Sequence, residues 1–328
     1  MLTVTDLLTD WTASPVALLA VLVVGGTYGR WTLLASRRGL RWSPLRVWLY
    51  AVLGVGTLAY AVCGPLAVHR DTVFWAGALQ VGVLASLTPV GLALGDPVRL
   101  LRLLHPDGRH WLLRALRGRP TRLLMFPAVG TALAVGIQIA VFFTPWFEAS
   151  TQSAAVQAGL DVVLVGSGLL FVLPLMVDAL LPSWATPGVR TLLAFVDGLA
   201  DAIPGILVMT SSVLLTPRFP GWVGGHAGAA LDPALDQRLG GGALLAVSEA
   251  VGLPVIAAVF LEWVRSDERD AHAVDAAQDA RAETSSAVVG PESTLWWLQE
   301  HPDQPSRRGH QHHDDHEEHQ GRAHHDRG

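Results

Sequence analysis

The chain has 328 residues, of which 51% are hydrophobic and only 16% are charged, and its formal net charge is −5. A globule of this size that faced water on every side could not cover so large an apolar fraction, so the composition excludes a soluble protein and indicates several membrane-spanning segments. Cys63 is the only cysteine, which excludes an intramolecular disulfide. We expect no nucleic-acid partner.

Seven apolar stretches are predicted to cross the lipid bilayer as helices, because each is about 20 residues long and this length matches the hydrocarbon core. In chain order they lie near residues 14–34, 47–67, 73–95, 123–143, 157–181, 191–214 and 241–264. The first has Asp6 and Asp10 before it instead of basic residues, so we expect it to remain as a helix and not to be a cleaved signal peptide. The expected fold is an all-α membrane protein, a bundle of seven transmembrane helices.

The arginines predict the orientation of the bundle. The second loop offers only Arg70, and the fourth loop has no basic residue. The first and third loops hold most of the others: Arg30, Arg37, Arg38, Arg41, Arg46, Arg99, Arg102, Arg109, Arg114, Arg117, Arg119 and Arg122. Because basic loops stay in the cytoplasm, the N-terminus is predicted to lie outside and the C-terminus in the cytoplasm.

The apolar pattern stops at Trp263, which predicts a domain boundary. Residues 1–265 are interpreted as the membrane domain, and residues 266–328 as a mostly disordered, acidic cytoplasmic tail, because this segment has too little apolar surface to offset its ordering entropy. Its start, Ser266 to Thr284, has a helix-forming composition and can prolong the last span for a few turns.

The end of the tail is rich in histidine. It holds His310, His312, His313, His316, His319, His324 and His325, with acidic residues between them. Imidazole and carboxylate groups suit Cu(II), Ni(II) or Zn(II), and copper has the highest intrinsic affinity of these. The sequence therefore predicts a metal-binding tail with copper as the favoured ion. The alternative is a solvated tail that binds metals weakly and without a role.

Acidic and amide side chains within the apolar stretches are candidate functional groups, because an aspartate at the centre of a span costs roughly 2.5 to 3.5 kcal/mol. Asp197 and Asp201 are four residues apart, so they share a helix face and can form a carboxylate pair or a proton relay. With Asp161, Gln80 and Gln138 they can build a polar interior between the third, fourth, fifth and sixth spans. The alternative is that each group only fixes helix packing. Glu249 is a further carboxylate in an apolar stretch.

Several short motifs follow one another along about residues 11–265 and just beyond. They are Tyr28-Gly29-Arg30, Arg41-Trp42 with Arg46, Gly64-Pro65, Leu79-Gln80, Pro89, Gly95-Asp96-Pro97, Asp236-Gln237 with Gly240 and Gly241, and Trp263 with Arg265, Asp267 and Glu268. Their order and spacing resemble the polytopic CtaG-type assembly factors of cytochrome c oxidase. The resemblance implies a protein of the bacterial plasma membrane that assists the biogenesis of a respiratory haem-copper oxidase, contacts its subunits and takes part in copper delivery.

One departure from this family concerns its metal ligands. The third span of the family resembles a His-Met-x-Gln-His run, whereas the matching stretch here runs from Gly77 to Val81 and keeps only Gln80. In the fifth span Gln157 and Asp161 stand where the family tends to place histidines. The predicted spans therefore hold no imidazole for copper. The soft ligands that could compensate, which are Cys63, Met125, Met176 and Met209, fall in four different spans.

Asp236 and Gln237 precede a glycine run that includes Gly240 and Gly241, at the predicted outer end of the seventh span. An aspartate at a helix N-terminus accepts backbone N–H bonds, which is a sufficient structural reason for its presence. The family resemblance implies an alternative, in which this outer-face motif contacts an oxidase subunit or a metal donor. No nucleophile, phosphate-loop or dinucleotide motif supports an enzyme. Besides an assembly factor, the residues leave open a proton-coupled transporter that uses the intramembrane aspartates and a scaffold that has lost its metal.

Overall fold

A computed structural model of the chain describes residues 5, 9–12, 14–108, 110–116, 118, 121, 124, 126–176, 187–223 and 231–288. All regular structure in these residues is helical, and they contain no strand. The seven tail histidines and Met125 lie outside the described residues, as do the side chains of Met176 and Asp197.

The first three spans are long helical rods. Helix α1 is Pro15–Arg37. The second span, Pro44–His69, consists of α2 (Pro44–Leu49), a π-helical segment (Tyr50–Gly56), α3 (Thr57–Val62) and α4 (Pro65–His69). The third span, Phe74–Leu104, consists of α5 (Phe74–Gly82), a π-helical segment (Val83–Leu87), α6 (Thr88–Leu94) and α7 (Pro97–Leu104).

The remaining helices include one sharp bend. Their bounds are α8 (Trp111–Leu116), α9 (Pro127–Phe143), α10 (Trp146–Gln152), α11 (Ala154–Met176), α12 (Pro187–Thr210), α13 (Pro220–Val223) and α14 (Pro233–Val288). The axes of α9 and α10 differ by 68°. The bend follows the Thr144-Pro145 pair, where Pro145 cannot continue the backbone ladder of α9.

The membrane character predicted from composition is confirmed. Among the described residues, four helices are long and apolar enough to span a bilayer: Pro15–Arg37, Pro44–His69, Phe74–Leu104 and Ala154–Leu173. The bent pair makes a fifth if it counts as one span. The four helices coincide with the first, second, third and fifth predicted spans, and the bent pair coincides with the fourth. The sixth and seventh predicted spans lie within α12 and α14, so the structure supports four or five spans where the sequence predicted seven.

Helix α14 continues past the predicted domain boundary at residue 265 and ends at Val288. The prediction that the start of the tail, Ser266 to Thr284, prolongs the last helix is therefore confirmed, and the helix extends beyond Thr284 to Val288. Alanines and charged residues in this segment favour a helix even without apolar packing. Chain contacts divide the protein into two units, Met1–Glu268 and Arg269–Gly328.

The third span is the centre of the first unit and α1 is peripheral. In the apolar part of the third span 78% of the residues are buried, against 6% in α1. Leu19 and Leu22 of α1 are more than 60% exposed, as expected of side chains that face lipid. The second and third spans approach closely at Gly54 and Gly91, where an added Cβ would overlap the backbone of the opposite span. Thr57 and Thr88 hydroxyls hydrogen-bond at 3.0 Å beside this contact.

Candidate functional site

The end of the bundle that carries the arginine-rich loops is held together by an aromatic cluster. The Tyr28 hydroxyl donates to the Gly95 carbonyl at 2.8 Å, and the indole N–H of Trp42 donates to the same hydroxyl at 3.2 Å. The Tyr50 ring stacks on Tyr28 with 3.7 Å between ring centroids. This packing excludes any larger residue at position 95, because a Cβ on Gly95 would overlap the Tyr50 side chain. The cluster joins α1 to the second and third spans.

Arg46 and Asp96 extend this cluster. Arg46 Nη1 lies 2.8 Å from Asp96 Oδ2 in an ion pair between the second and third spans. Asp96 also begins α7: it adopts the left-handed conformation, with φ of +48°, and its other carboxylate oxygen accepts from the Arg99 N–H at 3.3 Å. Three motifs that are far apart in the sequence, at Tyr28, at Trp42 with Arg46 and at Gly95-Asp96, thus meet at one point. Their contacts hold helices together, and we call this group the Tyr28–Asp96 joint.

At the opposite end of the bundle Asp236 is the main polar anchor. Its side chain is 3% exposed. Oδ2 accepts from the Phe74 N–H and from the Trp222 indole, each at 2.9 Å, and Oδ1 accepts from the Trp75 N–H at 3.0 Å. As predicted, Asp236 accepts N–H groups at a helix N-terminus. The helix that donates them is the third span, whereas the prediction concerned the helix to which Asp236 itself belongs. The carboxylate is buried and its oxygens accept from groups of the chain itself, and contact of this motif with an oxidase subunit or a metal donor stays a prediction.

Gln237 and Glu148 fix the loop before α13. Gln237 is 2% exposed, accepts from the Leu215 N–H at 2.8 Å and donates to the Val213 carbonyl at 3.0 Å. Glu148, which no sequence motif marked, accepts from the Arg218 N–H at 2.8 Å. These bonds use buried side chains to satisfy backbone groups of an irregular segment that forms no regular backbone ladder.

The glycine run of α14 permits close helix packing. A Cβ on Gly240 would meet the Phe74 ring, and one on Gly241 would overlap the backbone of Met209 and Gly205 in α12. Gly242 faces open space. Gly240 and Gly241 therefore serve contact with the third span and α12, as small residues do between membrane helices.

Gln80, the residue that remains of the family's histidine run, binds a buried arginine. Its Oε1 accepts from Arg70 Nη1 at 3.0 Å, and its Nε2 donates to the Ala61 carbonyl at 2.7 Å. Arg70 is 2% exposed and also donates to the Ser150 hydroxyl at 2.6 Å. Burial lowers the pKa of the Arg70 guanidinium, against the opposing attraction of Asp161 and Asp71, yet an arginine stays protonated in proteins.

Arg70 was noted in the sequence only as the lone basic residue of its loop, and this isolation is the one signal that could have marked it. It lies in the turn between the second and third spans, with its Nε 3.3 Å from Asp71 Oδ1. Burial raises the pKa of the Asp71 carboxyl, and Arg70 opposes that shift. His69, next to Arg70, contacts Asp10 at 3.0 Å.

Asp201 gathers several helices around one carboxylate. Oδ2 accepts from the Ser86 hydroxyl at 3.0 Å and Oδ1 accepts from Gln138 Nε2 at 2.9 Å. The Asp201 carbonyl accepts from the Ser248 hydroxyl at 2.9 Å. The predicted polar interior therefore exists around Asp201 and Gln138, and it includes Ser86 of the third span in place of Gln80.

Asp161 is separate from that cluster. It lines a cavity of about 550 Å³ between α1, the second span and α11, together with Gln157. Glu249 is exposed on the surface of α14. The predicted pairing of Asp197 with Asp201 stays a prediction.

Candidate metal ligands do not converge in the described part of the chain, where no group of three or more histidine, cysteine or acidic side chains could hold a metal ion. Cys63 is buried, and its carbonyl accepts from the Thr12 N–H at 2.7 Å. The rings of His105 and His110 lie 4.9 Å apart beside the third span. Both follow the third span, in the loop that was predicted to be cytoplasmic from its arginines.

The comparison with known families decides which class of protein has these features. The model of the cytochrome c oxidase caa3 assembly factor family (Caa3_CtaG) matches residues 26–266. The chain belongs to this family. The match confirms the resemblance drawn from the motifs, and it includes both the Tyr28–Asp96 joint and the Asp236 anchor.

Curated relatives of this Caa3_CtaG chain come from mycobacteria. An uncharacterized protein of Mycobacterium bovis is 27% identical over 303 residues, which cover 88% of this chain and 45% of that protein. One from Mycobacterium leprae is 26% identical over 287 residues, which cover 81% of this chain and 40% of that protein. The chain thus spans less than half the length of these relatives. No solved structure matches it.

Proposed function

We propose that the chain assists the assembly of a haem-copper cytochrome c oxidase in the bacterial plasma membrane, as a binding protein and not as a catalyst. The observation that carries the proposal is the family match over residues 26–266, the part of the chain that contains the interlocked membrane helices. Oxidase subunits and the lipid bilayer are the partners that this role requires.

The orientation proposed for this role has seven spans, with α12 and α14 as the sixth and seventh. The arginine-rich end, with Arg46 and Asp96, then faces the cytoplasm, and the Asp236 end faces outside. In this arrangement the tail that follows α14 is cytoplasmic.

Copper handling, the finer part of the proposal, is assigned to the seven histidines of residues 310–325. Two facts support this assignment: the histidine and acidic composition of the segment, and the lack of a three-ligand cluster among the residues that the structure describes. A cytoplasmic location favours storage, sensing or buffering of copper over direct insertion into the oxidase.

Copper binding is tested on the purified full-length protein beside a version that ends at Gly309, with Cu(I) and Cu(II) titrated separately. The proposal expects Cu(II) binding by the full-length protein and its loss on truncation. Stoichiometric copper retained by the truncated protein would instead assign the site to the membrane bundle.

The assembly role is tested by deleting the gene in its own bacterium and returning either the wild type or Asp201→Asn. Membranes are compared for haem-copper oxidase content from their haem spectra and for bound copper. The proposal expects the deletion to lower oxidase content and both returned forms to restore it. A transporter that relies on the Asp201 carboxylate would instead fail with Asp201→Asn, and an unchanged oxidase content in the deletion strain would refute the assembly role.

A further inference from the structure

The cavity between α1, the second span and α11 has a polar end and an apolar end. Thr12, Ser14, Gln157 and Asp161 line one part, and Val24 and Leu169 are among the apolar residues that line the rest. The polar residues of both walls belong to the same end of the bundle, because Thr12 and Ser14 precede α1 and Gln157 lies in the first turn of α11.

The cavity has the length of one lipid leaflet. Gln157 and Leu169 are twelve residues apart on α11, which is about 18 Å along a helix. Half of a hydrocarbon core is about 15 Å thick. A single extended hydrocarbon chain can therefore lie along α11 from the polar end towards the middle of the membrane.

Asp161 has no hydrogen bond or ion pair within the described ranges, in contrast to Asp201. Arg70 is the cation that acts on it electrostatically, but the Arg70 guanidinium donates to Gln80 and Ser150 and contacts Asp71. A carboxylate inside a span that lacks donors is costly unless a partner supplies them. The cavity beside Asp161 is the space in which such a partner can lie.

We propose that this cavity binds an amphiphile with a primary ammonium head and a hydrocarbon chain, namely an aminophospholipid of the leaflet at the Asp161 end. The ammonium N–H groups donate to the Asp161 carboxylate and to the Gln157 side-chain oxygen, and one chain fills the apolar part. A quaternary ammonium head carries the same charge without an N–H, so it lacks these hydrogen bonds. The site is independent of the assembly role proposed above.

The test counts lipids retained by the full-length protein. The protein is reconstituted in nanodiscs with equal parts of phosphatidylethanolamine, phosphatidylcholine and phosphatidylglycerol, released into detergent and examined by native mass spectrometry. We expect one retained phosphatidylethanolamine per chain, with a preference of about tenfold or more over phosphatidylcholine, as a charge-assisted hydrogen bond provides.

Two variants remove the site by different means, and each has a matched control. Asp161→Asn removes the charge, and its control is Glu249→Gln, because Glu249 is an exposed carboxylate away from the cavity. Gly166→Leu fills the cavity, since Gly166 lines it and an added Cβ meets nothing within 4 Å. Its control is Gly159→Leu, an exposed position on the same helix that also has open space.

Loss of phosphatidylethanolamine in both site variants, with retention in both controls and unchanged helical melting curves, is the expected result. Equal retention of phosphatidylcholine and phosphatidylethanolamine by the wild type would overturn the proposal. Full retention of phosphatidylethanolamine by Asp161→Asn would also overturn it. This variant changes the side chain very little, so it still tests the proposal if Gly166→Leu does not fold.

Discussion

Replacing Asp236 with alanine tests whether its carboxylate holds the start of α14 to the third span and to α13. The change removes the acceptor of three hydrogen bonds. The backbone N–H groups of Phe74 and Trp75 and the indole N–H of Trp222 then lose the carboxylate to which they donate. Each buried donor without an acceptor costs about 1–3 kcal/mol, and the site is almost fully buried. Because such costs are not fully additive, we expect Asp236→Ala to lower the free energy of unfolding by about 3–6 kcal/mol.

The assay is unfolding in detergent micelles, followed by helical circular dichroism and by tryptophan fluorescence. The matched control is Asp232→Ala, because Asp232 is an exposed aspartate that caps α14 itself by accepting from the Leu235 N–H at 3.1 Å. Loss of such a cap costs about 0.5–2 kcal/mol. If Asp236→Ala destabilised the protein no more than Asp232→Ala, the reasoning about the buried anchor would be refuted.

Three further outcomes are expected. A double-mutant cycle on Arg46→Ala and Asp96→Ala should give a coupling energy of about 1 kcal/mol or less, because both side chains are partly exposed; a much larger value from denaturation curves would contradict this. Gly241→Ala should lower the melting temperature through its clash with α12, whereas Gly242→Ala should raise it slightly, since it faces open space and alanine favours a helix. Burial and the neighbouring histidine lower the pKa of His110 below 6.5; its contribution to stability is therefore present above pH 6.5 and lost as the pH falls through the lowered pKa, and His110→Gln should abolish that dependence in pH-resolved melting curves.

The apolar length rule located helices well but not their ends. Runs of about 20 residues predicted the rods from Pro15 to Leu104, because burial in lipid and helix formation select the same residues there. The rule ended the last helix near residue 264, whereas α14 continues to Val288. The helix-forming composition of Ser266 to Thr284 predicted this extension, because alanine and charged residues can extend a helix on propensity alone, which hydropathy does not detect.

The polar contacts show why a sequence can name a site residue without naming its partner. Asp201 and Gln138 were predicted to share a polar interior, and they do, since both are costly in lipid and must find each other or another polar group. Asp236 was expected to serve its own helix. Its true partners, Phe74 and Trp75, are about 160 positions away in the chain, and only the folded arrangement brings them within reach. Arg70 gave only the signal of its isolation in a loop, and its burial could not be predicted because it depends on Gln80 and Ser150 from two other elements.

The Asp236 anchor also has a consequence for biosynthesis. Its partner Phe74 is made 162 residues earlier, which at a translation rate of about 5–20 residues per second is a delay of roughly 8–30 s. During that time the third span is already synthesised while its first N–H groups lack their carboxylate. The third span and α14 can therefore join only after Asp236 has emerged from the ribosome, and a chain that stops before Asp236 leaves the central helix uncapped.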